Sequence, residues 1–159
     1  MLVYIEPDDS DIALYKAMVK KEGEEVCRDQ LDVYTITNTI ENFTFGFLYL
    51  SKKAQIGRRR LSLEDDYKIK GFIFCSYEPF QPEQLTIELV CASPNLVLGK
   101  PLMIEAENKA IEMGLTTLVL YCIDDDRLKT WYESLGFVYR KTIYLRRDVP
   151  KVHLMMKKI

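Results

Sequence analysis

Between Leu85 and Ile123 two nearly unbroken apolar runs flank a segment of helix length. Leu85 to Ala92 (LTIELVCA) and Leu118 to Ile123 (LVLYCI) are β-prone and too short for buried helices. From Lys100 to Met113 the residues Leu102, Ala106, Ala110 and Met113 recur at helical spacing. Pro101 stands in the first turn and Gly114 just past the last, as expected for the two ends of a helix. A connection of this length cannot be a hairpin. It predicts a right-handed crossover between two parallel strands, with the loop at 93–99 feeding the chain into a helix N-terminus. Such an end carries unpaired N–H groups and about half a positive charge, which suits a pyrophosphate.

The rest of the chain reads as antiparallel. Leu2 to Ile5 predicts a strand, and Pro7 to Asp11 supplies turn and cap residues before a helix from Ile12 to about Glu22, with Gly23 as its stop. The stretch from Glu24 to Ile40 fits neither period well and is read as a helix. Phe43 to Leu50 and Lys68 to Tyr77 predict two strands of a hairpin across a charged loop containing Arg58-Arg59-Arg60. After the crossover unit, Asp124-Asp125-Asp126 caps a helix with the stripe Leu128, Trp131, Tyr132 and Leu135, closed by Gly136. Val138 to Leu145 and Val152 to Lys158 predict two last strands.

A chain of 159 residues fits one domain spanning 1–159. Lys plus Arg number 22 against 24 Asp plus Glu, and the resulting net charge of -2 argues against a dedicated nucleic-acid binder. Cys27, Cys75, Cys91 and Cys122 show no Cys-x-x-Cys spacing, so no metal site is expected, and the predicted state is buried free thiols in a reducing compartment. The N-terminus turns acidic before any signal-peptide core, and no apolar run approaches the ~18 residues of a membrane helix. The expected location is cytoplasmic, with no membrane partner.

The order helix, hairpin, strand, crossover helix, strand, helix and two strands resembles the GNAT acetyltransferases from end to end. The closest local matches are Glu88-Leu89-Val90-Cys91, Gly99 with the following helix, and Trp131-Tyr132-Glu133-Ser134-Leu135-Gly136-Phe137, in which Tyr-x-x-x-Gly-Phe is the most specific element. The resemblance implies an α/β (α+β) fold with a mixed, mainly antiparallel sheet of six to seven strands and helices on both faces. It implies an N-acetyltransferase that takes acetyl-CoA as co-substrate and an amine of a protein or small molecule as acceptor, and leaves monomer or homodimer open.

Residue by residue, the resemblance places the pantetheine arm along the backbone of Leu89, Val90 and Cys91. The pyrophosphate would meet the amides around Val97, Leu98, Gly99 and Lys100. Asp125 stands where an Asn often contacts the cofactor arm, and Tyr132 where a Tyr often protonates the departing thiolate. The phosphate loop departs from the family pattern: Val97 replaces its first glycine and Pro94 its basic residue. Glu88, a lone charge in its strand, is the candidate base, and alternation puts it on one face with Thr86 and Val90. A solvated Glu88 and a core Tyr132 are the plain alternatives. Cys91 as an acyl-accepting nucleophile lacks a base partner, because the one histidine, His153, falls in the last strand. A catalytically silent binding protein of the same fold, and a nucleic-acid binder acting through the basic loop at 52–60, are the competing functions.

Overall fold

In the computed structural model of the chain, residues 1–27, 33–51, 68–92, 98–144 and 151–159 are described. Arg58-Arg59-Arg60, the loop residues Pro94 and Val97, and the turn at 146–150 lie outside them. The elements are β1 (Leu2–Ile5), α1 (Ile12–Val26), α2 (Val33–Asn42), β2 (Phe45–Leu50), β3 (Ile69–Tyr77), β4 (Gln84–Ala92), α3 (Gly99–Glu112), β5 (Thr117–Ile123), α4 (Asp126–Ser134), β6 (Val138–Ile143) and β7 (Val152–Lys158).

One seven-stranded sheet has the order β1-β2-β3-β4-β5-β7-β6. Every neighbouring pair is antiparallel except β4 and β5, which are parallel as the crossover requires. The helices cover both faces. α1 and α2 pack Tyr15, Met18, Val19, Ile36 and Ile40 against Leu48, Phe72, Phe74 and Leu89. α3 lays Leu102, Met103, Ala106 and Ala110 on the opposite face, against Phe45, Ile73, Ile87 and Leu118. Each fully buried aliphatic or aromatic side chain here contributes roughly 1.5–3 kcal/mol of transfer free energy.

Two helix ends explain sequence signals. At the end of α3, Gly114 takes φ +78°, its N–H donates to Ile111 and the Leu115 N–H donates to Ala110, which closes a Schellman turn with Leu115 buried. At the end of α4, Gly136 takes φ +98°, its N–H donates to Glu133, and the Phe137 N–H donates back to Tyr132. The ring of Phe137 meets that of Tyr132 edge-on at 5.9 Å. Tyr-x-x-x-Gly-Phe is therefore the spacing of a capped helix end and its apolar contact.

Several expectations need correction. Gly23 does not stop α1; the helix continues to Val26, and Ile36 of α2 packs over Gly23 at ordinary contact distance, 3.4 Å from where a Cβ would stand. Met113 is exposed and Met103 is buried in its stead; Met113 is the C-cap, just past the last residue of α3. β5 is covered on one face only in part, since Tyr121 is 51% exposed. The free-thiol expectation holds for Cys75 and Cys122, which are buried and unbonded. It fails for Cys27 and Cys91. Cys27 caps the end of α1, Cys91 faces it from β4, and their Cα atoms are 4.9 Å apart in a disulfide. The pair could not be read from spacing, because 64 positions separate the two residues.

This crosslink ties α1 to β4 and closes a long loop in the unfolded chain, which corresponds to about 4 kcal/mol in the loop-entropy account. Reduction, or Cys27→Ser, is expected to lower the urea midpoint accordingly. An unchanged midpoint under reducing conditions would show that the pair is not bonded in solution.

Candidate active site

The parallel pair is short. β4 and β5 are in register from Gln84 with Thr117 to Ile87 with Leu120, and there the pairing ends. β4 runs on to Ala92 alongside β3, and β5 runs on to Ile123 alongside β7. The sheet therefore splits beyond Ile87 and Leu120. Alternate residues of an antiparallel strand turn both N–H and C=O away from the partner. Along the second half of β4 those groups face the gap that β5 has left. Leu89, Val90 and Cys91, the residues expected to hold a pantetheine arm, form the wall of this gap.

Glu88 occupies a β-bulge. Phe74 pairs with Leu89 and Cys75 with Ile87, so Glu88 has no partner on β3. The extra residue breaks the alternation: Ile87 belongs to the α3-side core and Leu89 to the α1/α2-side core, although they are two positions apart. The expectation that Glu88 shares one face with both Thr86 and Val90 fails for this reason, since Val90 packs on the α3-side core. Ser76 on β3 is the polar side chain that acts on the Glu88 carboxyl from across the bulge. Solvent reaches the residue, yet the surrounding strands desolvate its carboxyl enough to raise the pKa. Glu78 raises it further and Ser76 opposes the shift.

Tyr132 lies on α4, packed on the α3-side core and near Cys122 of β5. It is half-buried, and its ring packs against Trp131 at 5.0 Å as well as Phe137. Its phenol has no hydrogen-bond partner among the described residues. Desolvation, with a smaller contribution from Cys122, raises its pKa, so the phenol keeps its proton throughout the neutral range. Cys122 lies on β5 just past the split. Burial pushes its thiol up to about 11, Asp125 and Asp124 add to this, and Lys129 opposes it. The thiol is thus held neutral. Cys91, by contrast, is spent in the disulfide, which removes it as a nucleophile.

The start of α3 stands at the same end of the sheet. Leu98 is its N-cap and offers no capping side chain. The N–H groups of Leu98, Gly99 and Lys100 have no intrahelical acceptor, and Pro101 has no N–H to leave unpaired. Gly99 has no left-handed backbone. A Cβ there would stand 3.1 Å from the Trp131 ring, which would have to give by a few tenths of an ångström. A groove of about 190 Å³ runs from Lys100 between α3 and α4 to Lys157. Lys157 is neutralised by Glu107 at 3.1 Å, whereas Lys100 has no ion pair among the described residues. Asp125 serves as the N-cap of α4, where its carboxylate accepts from the N–H groups of Arg127 and Leu128 at 2.9 and 3.4 Å. Sequence reading missed Ser76, whose role depends on strand register, and Cys122, whose position depends on where the parallel pair opens.

These features, a mixed sheet that splits at its one parallel pair with uncapped amides at the head of the crossover helix, are those of the GNAT acetyltransferase fold. Solved structures with that fold overlie the chain. One is a protein assigned to the GNAT acetyltransferase family from Desulfovibrio desulfuricans, 11% identical over 99% of both chains with a TM-score of 0.71. An aminoglycoside 6'-N-acetyltransferase complexed with coenzyme A is 9% identical over 99% of this chain and 96% of that one, with a TM-score of 0.66. Nourseothricin acetyltransferase is 20% identical over 72% of this chain, with a TM-score of 0.57, and the match spans only 64% of its own length. No protein-family model and no curated protein sequence matches the chain. Among the described residues no helix is long and apolar enough to cross a membrane.

A carboxyl whose pKa is raised by folding stabilises the native state below its ordinary pKa. That contribution is lost as pH rises through the folded value. Glu88→Gln is therefore expected to be more stable than the parent at about pH 8, with the advantage shrinking towards about pH 4. Denaturation midpoints at the two pH values measure this, and a difference independent of pH would contradict the assigned environment of Glu88.

Proposed function

We propose that the chain is an acetyl-CoA-dependent N-acetyltransferase acting on a primary amine. The observation that carries the reading is the end of β4–β5 pairing at Ile87 and Leu120, which leaves β4 without a β5 partner from Glu88 onward. The coenzyme A complex of a protein with the same fold supports coenzyme A as the cofactor class. In this reading the pantetheine amides complete the hydrogen bonding of Leu89, Val90 and Cys91, as an added strand would. The pyrophosphate meets the amides of Leu98, Gly99 and Lys100, with Val97 preceding them, and the Lys100 ammonium adds charge. Asp125 orients the start of α4 rather than the cofactor.

The chemistry follows from the groups at the split. An ammonium acceptor has a pKa near ~10.4 and must lose a proton before attack. Glu88, on the α1/α2 side and with a raised pKa, is the acceptor of that proton, directly or through water. The neutral amine adds to the thioester carbonyl, and backbone N–H groups of β4 hold the oxyanion. The C–S bond then breaks. Tyr132 gives its phenol proton to the departing sulfur and takes up the second amine proton in its place. The products are an amide and coenzyme A.

A binding protein of the same fold without turnover is the second reading. The packing of Trp131 against Gly99, which closes one side of the α3 N-terminus, favours it.

Thiol release from acetyl-CoA against a panel of lysine peptides, polyamines and small amines tests the proposal. Tyr132→Phe is expected to reduce kcat by well over about tenfold with the fold intact, in the range of a lost acid catalyst. Unchanged turnover removes Tyr132 from the mechanism, and cofactor binding without thiol release for any amine favours the second reading.

A further inference from the structure

His153 is the one buried polar residue among the described residues, 9% exposed near the start of β7, and the chemistry above makes no use of it. Its two ring nitrogens are both engaged. Nε2 lies 3.0 Å from the Asp124 carboxylate, at the turn between β5 and α4, and Nδ1 lies 3.0 Å from the Thr142 hydroxyl on β6. The Tyr139 hydroxyl is 2.7 Å from the same Thr142 oxygen, and its ring meets the imidazole edge-on at 5.7 Å. With Asp124 ionised, one tautomer satisfies the chain: Tyr139 donates to Thr142, Thr142 to Nδ1, and Nε2–H to Asp124. Lys151 stands 3.7 Å from the other Asp124 oxygen, and Lys129 of α4 lies over the Tyr139 ring at 4.5 Å. His153 holds the Asp124 carboxyl below its usual range.

The helix served by this network is weakly held otherwise. α4 has no fully buried side chain, and Leu128, Trp131, Tyr132 and Leu135 are only partly covered. Its C-terminal end is fixed by the buried Phe137 and the turn at Gly136. The side chain of its N-terminal cap, Asp125, bonds only to α4 itself, and the Asp125 N–H donates to Ile123 at the end of β5. The hydrogen bond from Asp124 to His153 joins the residue before that cap to the far strands of the sheet, alongside the Lys151–Asp124 ion pair and the contact of Lys129 with the Tyr139 ring.

We propose that His153 is a positioning residue that, through Asp124 and with Thr142 behind it, holds the start of α4 on the sheet and so sets where Tyr132 meets the gap between β4 and β5. The catalytic half of this inference rests on the acetyltransferase reading; the tie itself does not. The role needs the geometry of the imidazole, with one donor towards Asp124, and no proton transfer through it.

Trp131 is the only tryptophan in the chain and sits on α4 beside Tyr132, so its fluorescence reports the helix directly. His153→Ala is expected to shift Trp131 emission to the red and to speed amide exchange in α4. With acetyl-CoA and the best amine of the panel, it should lower kcat about tenfold or more while the KM for acetyl-CoA changes less than about twofold. His153→Gln, whose amide can donate to Asp124, should recover most of both losses, and Asp124→Asn should resemble it because an acceptor oxygen remains. Unchanged emission and turnover in His153→Ala overturn the inference. Recovery of neither loss by His153→Gln overturns it as well, since a donor towards Asp124 would then not be what holds the helix. If the unaltered protein releases no thiol, the acetyltransferase reading and the catalytic half fail, while emission in His153→Ala still decides the tie.

Discussion

Backbone hydrogen bonding between β4 and β5 stops at Ile87 and Leu120, and the functional reading depends on that interruption. A buried strand that loses its partner leaves N–H and C=O groups which water or a ligand must satisfy. The two strands are held apart by their other neighbours. β3 keeps β4 to Ala92 and β7 keeps β5 to Ile123, so the gap is a product of sheet order rather than of a local distortion. The crossover helix α3 starts at the same end, and its unpaired amides open beside the gap. One topological choice, a single parallel pair within antiparallel strands, places both features together.

The two sides of the gap are held differently. β4 is braced by the α1/α2 core and by the disulfide from Cys27 to Cys91. β5 is braced by β7, and α4 lies over it with little buried area of its own. Position on that side comes from directional contacts: the Schellman turn at Gly136, the ring contacts of Tyr132, the packing of Trp131 on Gly99 and the bond from Asp124 to His153. Directional bonds set position more narrowly than apolar contact, which tolerates sliding. A group that must meet a sulfur atom at hydrogen-bond distance benefits from such an arrangement.

Much of this architecture was legible in the residues because it is written locally. The β4–α3–β5 crossover follows from run lengths and from Pro101 and Gly114, and the fold it implied is the one observed. Gly136 signalled the end of α4, and the Tyr132, Gly136 and Phe137 motif turned out to be the hydrogen-bonded turn that closes it. What escaped is non-local. The bulge at Glu88 reflects a register mismatch between β3 and β4, and it reverses which face Val90 occupies. Gly23 resembles a helix stop until α2 packs across it. Cys27 and Cys91 pair because α1 ends above β4, and His153 finds Asp124 because β7 inserts beside β5. None of these follows from a window of neighbouring residues.

The central claim is that the amides left free where β4 parts from β5, together with those at the head of α3, receive coenzyme A. Titration of the isotopically labelled protein with acetyl-CoA, followed by backbone amide resonances, tests it most directly. The account predicts saturable shifts concentrated at residues 88–91 and 98–100. Resonances there that stay fixed at millimolar acetyl-CoA, or shifts confined to another part of the molecule, would contradict it.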